Sequence, residues 1–384
     1  MMSEGIMKKL PQDVMIYIFL RFSVKSLLRF KLISKTWYTL IQSSTFINIH
    51  LNGTTIPKKE FIVCSHSIKK ETEGFKNVLS ILYSDDHDNI NIILPDLDLP
   101  YLSFTPFYHF NELVGTCNGL IVLTDNEDIV LFNPATKTYM LLPPSPFVCQ
   151  KGFNRNFIGG VGFGFDPIIN DYKFVRISEV FLDSYWCPEE KVQKVEVYDM
   201  CIDSWRDLNH IDQQLPNVHS YPCFEKLHRG TFHWYATSDL MDVILCFDIR
   251  TEIFRNMKMP DSSNYFDEMS YSLTVMTEFL TLICYHGPDS EINPIRDTMD
   301  IWIMIEYGVH ESWTKKHIIK PLPIEYPLTI LRDYLLLLQK KSGLLIWYNL
   351  NSNEVRELDF LAYPRSLSVI GYQESLISIP KRGP

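Results

Sequence analysis

The chain has 384 residues, of which 46% are hydrophobic and 21% are charged, a balance typical of a globular protein with a sizeable core. Sixteen Gly and 22 Pro are spread along it, which excludes a low-complexity protein and favours many short strands and turns. A net charge of −10 makes nucleic acid an unfavourable partner for the chain as a whole.

Charge is divided unevenly between the first 50 residues and the rest. Residues 1–50 contain seven Lys or Arg and two Asp or Glu, a net of +5, whereas residues 51–384 contain 29 and 44, a net of −15. We predict a small helical domain over 1–50 and a large domain over 51–384. The large domain should attract basic partners.

The N-terminal region carries no long apolar segment. Its longest apolar run, residues 14–20, has seven residues, whereas a membrane span needs about 20. We therefore expect no signal peptide, no membrane partner and a cytoplasmic location.

Three short helices are predicted near the N-terminus. Pro11 suits the first helical position, because its missing N–H has no partner there in any case. Ser23 and Ser34 are placed to cap the second and third helices, and Trp37 shares a helix face with Ile41. About 40 residues rarely bury enough apolar surface to fold without help, so these helices imply a partner surface.

After Asn52 the hydrophobic pattern changes to period two. Alternating runs of five to eight residues, bounded by Asn, Asp, Gly or Pro, predict short strands. The clearest are "NGLIVLT", "DIVLFNP", "KVEVYDM", "GTFHWYA", "VILCFDI" and "LLIWYNL".

A six-residue spacing recurs along these strands. An Asn or Asp that ends one strand is followed, six residues later, by an apolar residue of the next strand. This spacing predicts a hairpin in which the Asn or Asp side chain hydrogen-bonds its own backbone. The pairs are Asn133 and Tyr139, Asp199 and Trp205, Asp248 and Phe254, and Asn349 and Val355, with two degenerate copies at Ser84 and Ile90 and at Tyr307 and Trp313. Intervals of 49, 66, 49, 59 and 42 residues indicate propeller blades.

Each copy can be completed to four strands, a to d. The first set is 114–117, 120–123, 129–132 and 139–142, with similar sets near 161–208, 225–259, 271–319 and 327–360. The sixth is split: "SLSVIGYQESLISIP" supplies two strands, and "VLSILYS" and "INIIL" supply two. The predicted fold is mainly β: a small N-terminal three-helix α domain followed by a six-bladed β-propeller closed by the chain ends.

The long connections all lie between strands b and c or between d and a. They are residues 143–157, 178–192, 210–224, 260–270 and 284–298. In a propeller these two classes emerge on one face, so we expect the substrate to bind there. The candidate substrate-binding residues are Asp183, Tyr185, Trp186, Glu189, Glu190, Asp289 and Glu291.

No catalytic or metal motif stands out. HExxH, GxSxG, GxxxxGK[ST] and GxGxxG are absent, and "GGVGFGF" at 159–165 favours a strand over a nucleotide loop. The eight Cys show no CxxC pair or zinc-like spacing, so we expect reduced thiols, and the spacings of His210, His219, His228 and His233 match no common metal site. We predict a protein without catalysis, metal or cofactor. A propeller hydrolase with two facing carboxylates is the alternative.

The first helices resemble a plant F-box. The pattern is Leu10-Pro11-x-Asp13-Val14, Ile18-x-x-Arg21, Val24-Lys25-Ser26-Leu27-Leu28-Arg29-Phe30 and Ser34-Lys35-x-Trp37. It departs from the family at Phe22-Ser23, where Leu-Pro is usual, and at Leu32, where Cys is common.

Later segments extend the resemblance over essentially the whole chain, to the S-locus F-box proteins of plants. They include "STFINIHLN", "LFNPATKTYMLLPPSPF", "GVGFGFDP", "NDYKFVRISEV", "KVEVYD", "HWYA", "ILCFD" and "FRNMKMP". The family implies an F-box, a Kelch-like F-box-associated propeller, and action as the pollen-side substrate receptor of a Skp1–Cullin–F-box (SCF) ubiquitin ligase.

The implied partners are a Skp1-like adaptor, the cullin and RING subunits bound through it, and a basic pistil S-ribonuclease. That ribonuclease would be ubiquitinated and degraded in self-incompatibility, which places the protein in the pollen-tube cytosol. An S-linked sibling with a different target is the alternative. The resemblance assigns Skp1 contact by position to Leu10, Pro11, Val14, Ile18, Leu27, Leu28, Phe30 and Trp37. For each of these residues the domain's own core is the alternative role.

Overall fold

The computed structural model describes residues 11–53, 61–70, 74–85, 89–98, 112–124, 128–147, 153–182, 192–208, 215–219, 226–238, 241–261, 269–287, 298–320, 322–363 and 366–379. Its N-terminal part, residues 11–53, is helical and is called the head below. The helices of the head are α1 (Gln12–Phe19), α2 (Val24–Phe30), α3 (Lys35–Gln42) and α4 (Ser44–Asn52).

Helices α2 and α3 begin after the predicted capping residues, and α1 begins one residue later than the position predicted from Pro11. Pro11 is the N-cap of α1, one residue before the first helical residue. Ser23 caps α2, its Oγ accepting a hydrogen bond from the Ser26 backbone N–H at 3.4 Å. Ser34 occupies the N-cap of α3 without a side-chain capping bond.

Helix α4 is an addition to the predicted three, and it carries the helical part to Asn52. Its sequence, STFINIHLN, is rich in residues of modest helix propensity, so the local signal is weak. Two features stabilise it: Ser43 Oγ accepts from the Phe46 N–H at 3.2 Å, and Phe46 and Leu51 are buried.

The rest of the described chain is a ring of strands. One 3₁₀ helix, His310–Ser312, lies among them. The strands are β1 (Phe61–Lys70), β2 (Gly74–Ser84), β3 (Ile90–Asp98), β4 (Glu112–Cys117), β5 (Leu120–Thr124), β6 (Ile129–Asn133), β7 (Thr138–Leu141), β8 (Phe153–Asp166), β9 (Asp171–Leu182), β10 (Val192–Asp199), β11 (Ser204–Asp207), β12 (Asn217–Val218), β13 (Lys226–His228), β14 (Thr231–Ser238), β15 (Met241–Asp248), β16 (Phe254–Lys258), β17 (Met269–Met276), β18 (Phe279–His286), β19 (Met299–Met304), β20 (Trp313–Ile319), β21 (Ile324–Leu331), β22 (Leu335–Lys340), β23 (Leu344–Asn349), β24 (Val355–Leu361) and β25 (Ser368–Tyr372).

These strands form six antiparallel sheets, which confirms the predicted six-bladed propeller. Blades 1, 2, 4 and 5 are the consecutive strands β4 to β7, β8 to β11, β17 to β20 and β21 to β24. Blade 3 has β14, β15 and β16, with two short strands, β12 and β13, both paired to β14. Blade 6 has the order β25, β1, β2, β3, so the two ends of the ring sequence meet in one sheet.

The closing blade divides differently from the predicted two and two. One C-terminal strand, β25, pairs with three N-terminal strands through β1, with Val63 opposite Ile370. Strand β1 was missed because polar residues interrupt its apolar pattern: Ser65 and His66 are buried, and His66 Nε2 lies 3.0 Å from Ser80 Oγ. The second predicted C-terminal strand, after Tyr372, is an extended segment outside the sheet.

The predicted hairpin chemistry is confirmed at three of the repeated turns. Asn133 Oδ1 accepts from the N–H groups two and three residues ahead at 3.0 and 3.3 Å. Asp248 does the same at 2.9 and 2.9 Å, and Asn349 at 2.9 and 3.0 Å. A side chain that satisfies the turn backbone explains why the motif recurs.

Two of the other copies use different contacts. Asp199 bonds the guanidinium of Arg206 rather than its own turn. In blade 4 the strand ends at Met304, which pairs with Trp313, and the 3₁₀ helix fills the longer connection. The prediction that Tyr307 ends a strand was therefore wrong.

The core lies between neighbouring blades. In blade 5, Leu335 to Leu338 are all fully buried, because both faces of this strand are covered. The Gly-rich run at 159–165 lies in β8, as predicted. It lets blade 3 pack closely against blade 2, because a Cβ on Gly162 would lie 2.9 Å from the Phe232 ring. Glycine here allows Phe232 to fill the interface.

Candidate partner-binding surfaces

The head presents an apolar stripe along helix α1. Val14, Tyr17 and Ile18 follow at helical spacing, so they lie side by side on the helix surface. Val14 and Tyr17 are exposed, and Ile18 is half-buried. The opposite side of the helix is inserted into the head through Met15 and Phe19.

Behind this stripe, aromatic rings form the centre of the head. Phe19 packs edge-on against Trp37 at 5.1 Å between ring centroids, and Phe30 packs edge-on against Trp37 at 5.8 Å. Phe22 contacts Phe30 at 5.0 Å. Phe30 and Trp37 pack against the core of the head but are only half-buried, so part of each side chain is accessible.

The structure places the eight predicted adaptor contacts in three groups. Leu10 lies outside the described residues. Leu27 is fully buried, so for this residue the structure supports the core role that the sequence left open. The exposed or half-buried members are Pro11, Val14, Ile18, Leu28, Phe30 and Trp37.

Sequence reasoning missed several exposed apolar side chains of the head. Leu32 is 87% exposed, the highest value among the large apolar side chains of the described head, and Ile33 beside it is 57% exposed. Tyr17, Tyr38 and Ile49 are also exposed. The signal for Leu32 and Ile33 was available: two apolar residues stand in the short connection between α2 and α3, where polar residues are usual.

The head is joined to the ring by the chain's C-terminal residues, 373–379, here called the strap. Leu376 of the strap is buried in the head core together with Phe19, Val24 and Leu27. Gln373 Nε2 donates to the Leu51 carbonyl at 3.3 Å. The part of the head core that faces the ring is therefore filled from within the chain.

Asn133 connects the strap to blade 1. Besides accepting from its own turn, its Nδ2 donates to the carbonyls of Ser375 and Ile377 at 3.3 and 2.8 Å. Tyr372 Oη accepts from the Ala135 N–H at 3.2 Å. Burial raises the pKa of the Tyr372 hydroxyl well above its usual range, so it stays protonated.

The head and the strand ends that border the long connections lie on opposite faces of the ring. The head packs against Ala135, in the turn between strands c and d of blade 1, and the a to b and c to d turns of a propeller share one face. We call it the head-side face. The long connections after β7, β9, β11, β16 and β18 join b to c or d to a, and so emerge on the other, the long-loop face.

The predicted substrate-binding residues fall in connections outside the described residues. Asp183, Tyr185, Trp186, Glu189 and Glu190 follow β9, which ends at Leu182. Asp289 and Glu291 lie between β18 and β19. Their role in substrate binding stays a prediction.

A cavity of about 620 Å³ lies on the head-side face, between the end of α4 and the ring. Within its described lining the one carboxylate is Asp333, which accepts from the Thr277 N–H, and the one guanidinium is Arg332, which donates to the Ser84 carbonyl at 2.9 Å. This part of the cavity therefore offers no facing pair of carboxylates for hydrolysis.

Two of the histidines considered from sequence have hydrogen-bonding neighbours, and His210 lies outside the described residues. His233 Nε2 lies 2.8 Å from Tyr307 Oη, and His219 Nε2 lies 2.6 Å from Thr237 Oγ1. Burial raises the pKa of the Cys117 and Cys246 thiols to about 12, which disfavours their thiolates. Among the residues with described positions, no group of three His, Cys, Asp or Glu could hold a metal ion.

Across the described helices, none has the length and apolar character needed to cross a membrane. Taken together, a helical head with an apolar outer surface, fixed to one face of a six-bladed ring, defines a modular binding protein.

Comparison with known families identifies the modules. The F-box domain matches residues 7–48, and the F-box associated beta propeller domain matches residues 57–379. The chain therefore belongs to the F-box proteins with an F-box associated propeller.

Curated relatives from Arabidopsis thaliana match nearly the whole chain. F-box protein CPR1 is 26% identical, covering 97% of this chain and 89% of its own length. F-box/kelch-repeat protein At3g23880 is 25% identical, covering 96% and 93%, and F-box protein At4g22390 is 24% identical, covering 91% and 85%. Membership of the S-locus group stays a prediction.

Proposed function

We propose that the chain is the substrate-recognition subunit of an SCF ubiquitin ligase. The observation that carries the proposal is the position of the head: its apolar surface lies on one face of the ring, and the strand ends that border the long connections lie on the other. The strap joins head and ring, so a protein captured on the long-loop face is held at a defined position relative to the ligase. Catalysis here is proximity, and the ubiquitin thioester belongs to another subunit.

The adaptor docks on the exposed apolar surface of the head. From the predicted set this surface comprises Pro11, Val14, Ile18, Leu28, Phe30 and Trp37, and we add Tyr17, Leu32 and Ile33 on the strength of their exposure. Leu10, which lies outside the described residues, is proposed as a contact from the resemblance alone. The cullin and RING subunits join through the adaptor.

Binding of a purified Skp1-like adaptor to the full chain tests this assignment. The variant Val14→Asp/Leu32→Asp places charges on the exposed part of the head without touching its core, and we expect at least about tenfold weaker binding. The variant Leu10→Ala/Pro11→Ala should also weaken it.

The matched control is Ile318→Asp/Leu361→Asp, whose side chains are equally exposed on the outermost strands of blades 4 and 5. It should bind like the wild type. Unchanged affinity in both head variants, with the melting temperature intact, would remove the basis for the proposal.

For the substrate we propose a basic secreted ribonuclease of the self-incompatibility type. The alternative is that the chain is an S-linked sibling that targets a different protein. Two points support it: the large domain has a net charge of −15, and its segments resemble the S-locus family. The site of action is then the pollen-tube cytosol.

Charge reversal tests the substrate surface. Glu189→Lys/Glu190→Lys and Asp289→Lys/Glu291→Lys should slow association with a panel of pistil ribonucleases, and raising the salt concentration should reduce the difference from wild type. Equal binding by wild type and both variants at low salt would argue against a role of these residues in substrate binding. Absence of binding to every ribonuclease by the wild type favours the alternative target.

A further inference from the structure

Three aromatic side chains and one carboxylate meet between blades 3 and 4, at the strand ends that border the long connections. Tyr235 and Asp242 lie on strands b and c of blade 3, on either side of the b to c connection. His219 follows β12 directly, and Tyr271 lies near the start of strand a of blade 4. We call these four residues the tyrosine–aspartate cluster.

The strand register explains why the side chains of blade 3 point to the same place. Tyr235 is paired with Ile244, and Thr237 is paired with Asp242. Ile244 is buried in the core that blade 3 shares with blade 4, and residues two apart in a strand share a face. Tyr235, Thr237 and Asp242 therefore face blade 4, where Tyr271 contributes to the same core.

The rings of the cluster are in contact with one another. His219 stacks on Tyr235, with 4.9 Å between the ring centroids and 25° between the ring planes, and Tyr235 packs against Tyr271 at 5.0 Å. His219 Nε2 lies 2.6 Å from Thr237 Oγ1, which fixes the orientation of the exposed His219 ring. The cluster therefore presents a fixed aromatic surface that reaches solvent.

Tyrosine hydroxyls hold the Asp242 carboxylate beside these rings. Its Oδ1 accepts from Tyr235 Oη at 2.7 Å, and the Tyr271 hydroxyl also hydrogen-bonds the Asp242 side chain. Burial and then the Asp242 charge raise the pKa of Tyr271 well above its usual range, so its hydroxyl stays protonated. Since a carboxylate offers about four acceptor sites, two hydroxyls do not saturate Asp242.

The surroundings of the cluster are acidic. Among the ion pairs of the described residues, none includes Asp242. The adjacent Lys258 lies on the opposite face of blade 3, because Met257 before it is buried against blade 4. The connections that join the strands of the cluster to their neighbours, 208–216, 219–225, 239–240, 259–268 and 287–298, contain nine Asp or Glu and one Arg. This charge favours a cationic ligand.

A guanidinium suits both parts of the cluster. It can bond a carboxylate through two N–H groups and stack its flat face on an aromatic ring, whereas an ammonium cannot stack. Met269, half-buried at the same junction, supplies an apolar side chain for the methylene groups of an arginine. Because Asp242 is already oriented, binding costs little conformational entropy on the side of the cluster.

We propose that the tyrosine–aspartate cluster binds an arginine side chain of the captured protein. The inference rests on the proposed function, in which the long-loop face receives a basic protein. It adds to that face a site built from described residues.

A single-arginine probe tests the cluster without any ribonuclease. Nα-acetylarginine amide is titrated into the full chain labelled with ¹³C at its methionine methyl groups, and the Met269 signal is assigned with Met269→Leu. We expect a saturable shift of Met269 and none of Met276, which lies at the other end of β17. Nα-acetyllysine amide should bind more weakly.

Asp242→Asn removes the charge but keeps an oxygen that can accept from the tyrosine hydroxyls. It should weaken binding of the arginine probe at least about tenfold at an unchanged melting temperature. Tyr235→Phe, which keeps the ring but not the hydroxyl that orients Asp242, should weaken it by a smaller factor. The matched control, Asp359→Asn, removes an exposed carboxylate on β24 of blade 5 and should bind like the wild type. Equal shifts in wild type and Asp242→Asn, or no shift in either, overturn the inference.

The panel of pistil ribonucleases then separates this inference from the proposed function. Complexes of Asp242→Asn should dissociate at least about tenfold faster than those of wild type and of Asp359→Asn. Equal dissociation from wild type and Asp242→Asn overturns the arginine contact and leaves the proposed function standing. If the arginine probe binds at Met269 but wild type captures no ribonuclease, the cluster stands and the ribonuclease assignment fails.

Discussion

The head and the ring bury their apolar side chains by different routes. In the ring, each blade covers the faces of its neighbours, and the closing blade joins the two ends of the ring sequence. The head has a small buried core, Phe19, Val24, Leu27, Ile41, Phe46 and Leu376, and the last of these comes from the far end of the chain.

This difference changes how the apolar side chains of the head are interpreted. The sequence implied that a partner covers apolar surface that three helices cannot bury. In the structure, helix α4 and Leu376 cover part of it, and the remainder, including Val14 and Leu32, is exposed. A small domain can therefore be stabilised by its own ring and still offer a partner surface.

The largest effect is expected within the ring, at Lys173. Lys173→Met leaves the carboxylates of Asp166 and Glu252 without this ammonium in a buried site, which should lower the free energy of unfolding by about 3–5 kcal/mol. Urea unfolding of the full chain measures it. A loss below about 1 kcal/mol would mean that solvent reaches the site.

Lys340→Met is the matched control for that change. Lys340 pairs with Glu357 at the surface of blade 5, where the carboxylate is 60% exposed. Its removal should cost less than about 1 kcal/mol.

The next largest effect is expected in the head. Leu376→Ala empties a position in the head core and should lower its stability by about 2–5 kcal/mol. Hydrogen exchange should accelerate in α1 to α4 while the strands of blades 2 to 5 remain protected. The control Leu361→Ala, at a side chain that is 67% exposed, should change neither the stability of the head nor the hydrogen exchange of its helices. Equal acceleration in head and ring would show that they unfold as one unit.

A comparison of Asn133 and Asn349, which form the same kind of turn, separates the stability contributed by the strap contacts from that contributed by the hairpin turn. Both Asn133→Ala and Asn349→Ala lose the bonds to their own turns, but only Asn133 also donates to the strap carbonyls. We expect losses of about 1–3 kcal/mol for Asn133→Ala and about 0.5–1.5 kcal/mol for Asn349→Ala. Carboxypeptidase digestion should release strap residues faster only in the former.

The smallest effect is a pH dependence at Glu252. Burial favours its neutral form, but hydrogen bonds from Arg206 and Lys173 outweigh this and lower its pKa. Its stabilising contribution is therefore present above the usual pKa of a glutamate and is lost as the pH falls through the lowered value. Wild type and Glu252→Gln should differ in melting temperature at pH 7 and converge in acid. A constant difference from pH 7 to pH 3 would contradict this.

Local sequence determined the repeated elements. Ser23 caps a helix, and Asn133, Asp248 and Asn349 form turns, through atoms only a few residues away. Such contacts recur at three of the six copies, and the spacing recurs more widely, so the six blades and the start of the helical domain could be predicted. The proposed adaptor surface rests in part on the resemblance, because exposed positions such as Val14 belong to the pattern.

Tertiary structure alone decided the contacts between distant segments. Leu376 enters the head core some 350 residues after it, the buried Ser65 and His66 belong to a strand, and Leu27 faces inward while Leu32 faces outward. Periodicity cannot reveal these, because it reports which residues share a face of one element and not what covers that face. The two ends of the ring sequence meet in blade 6 for the same reason: ring closure is a property of the assembled blades.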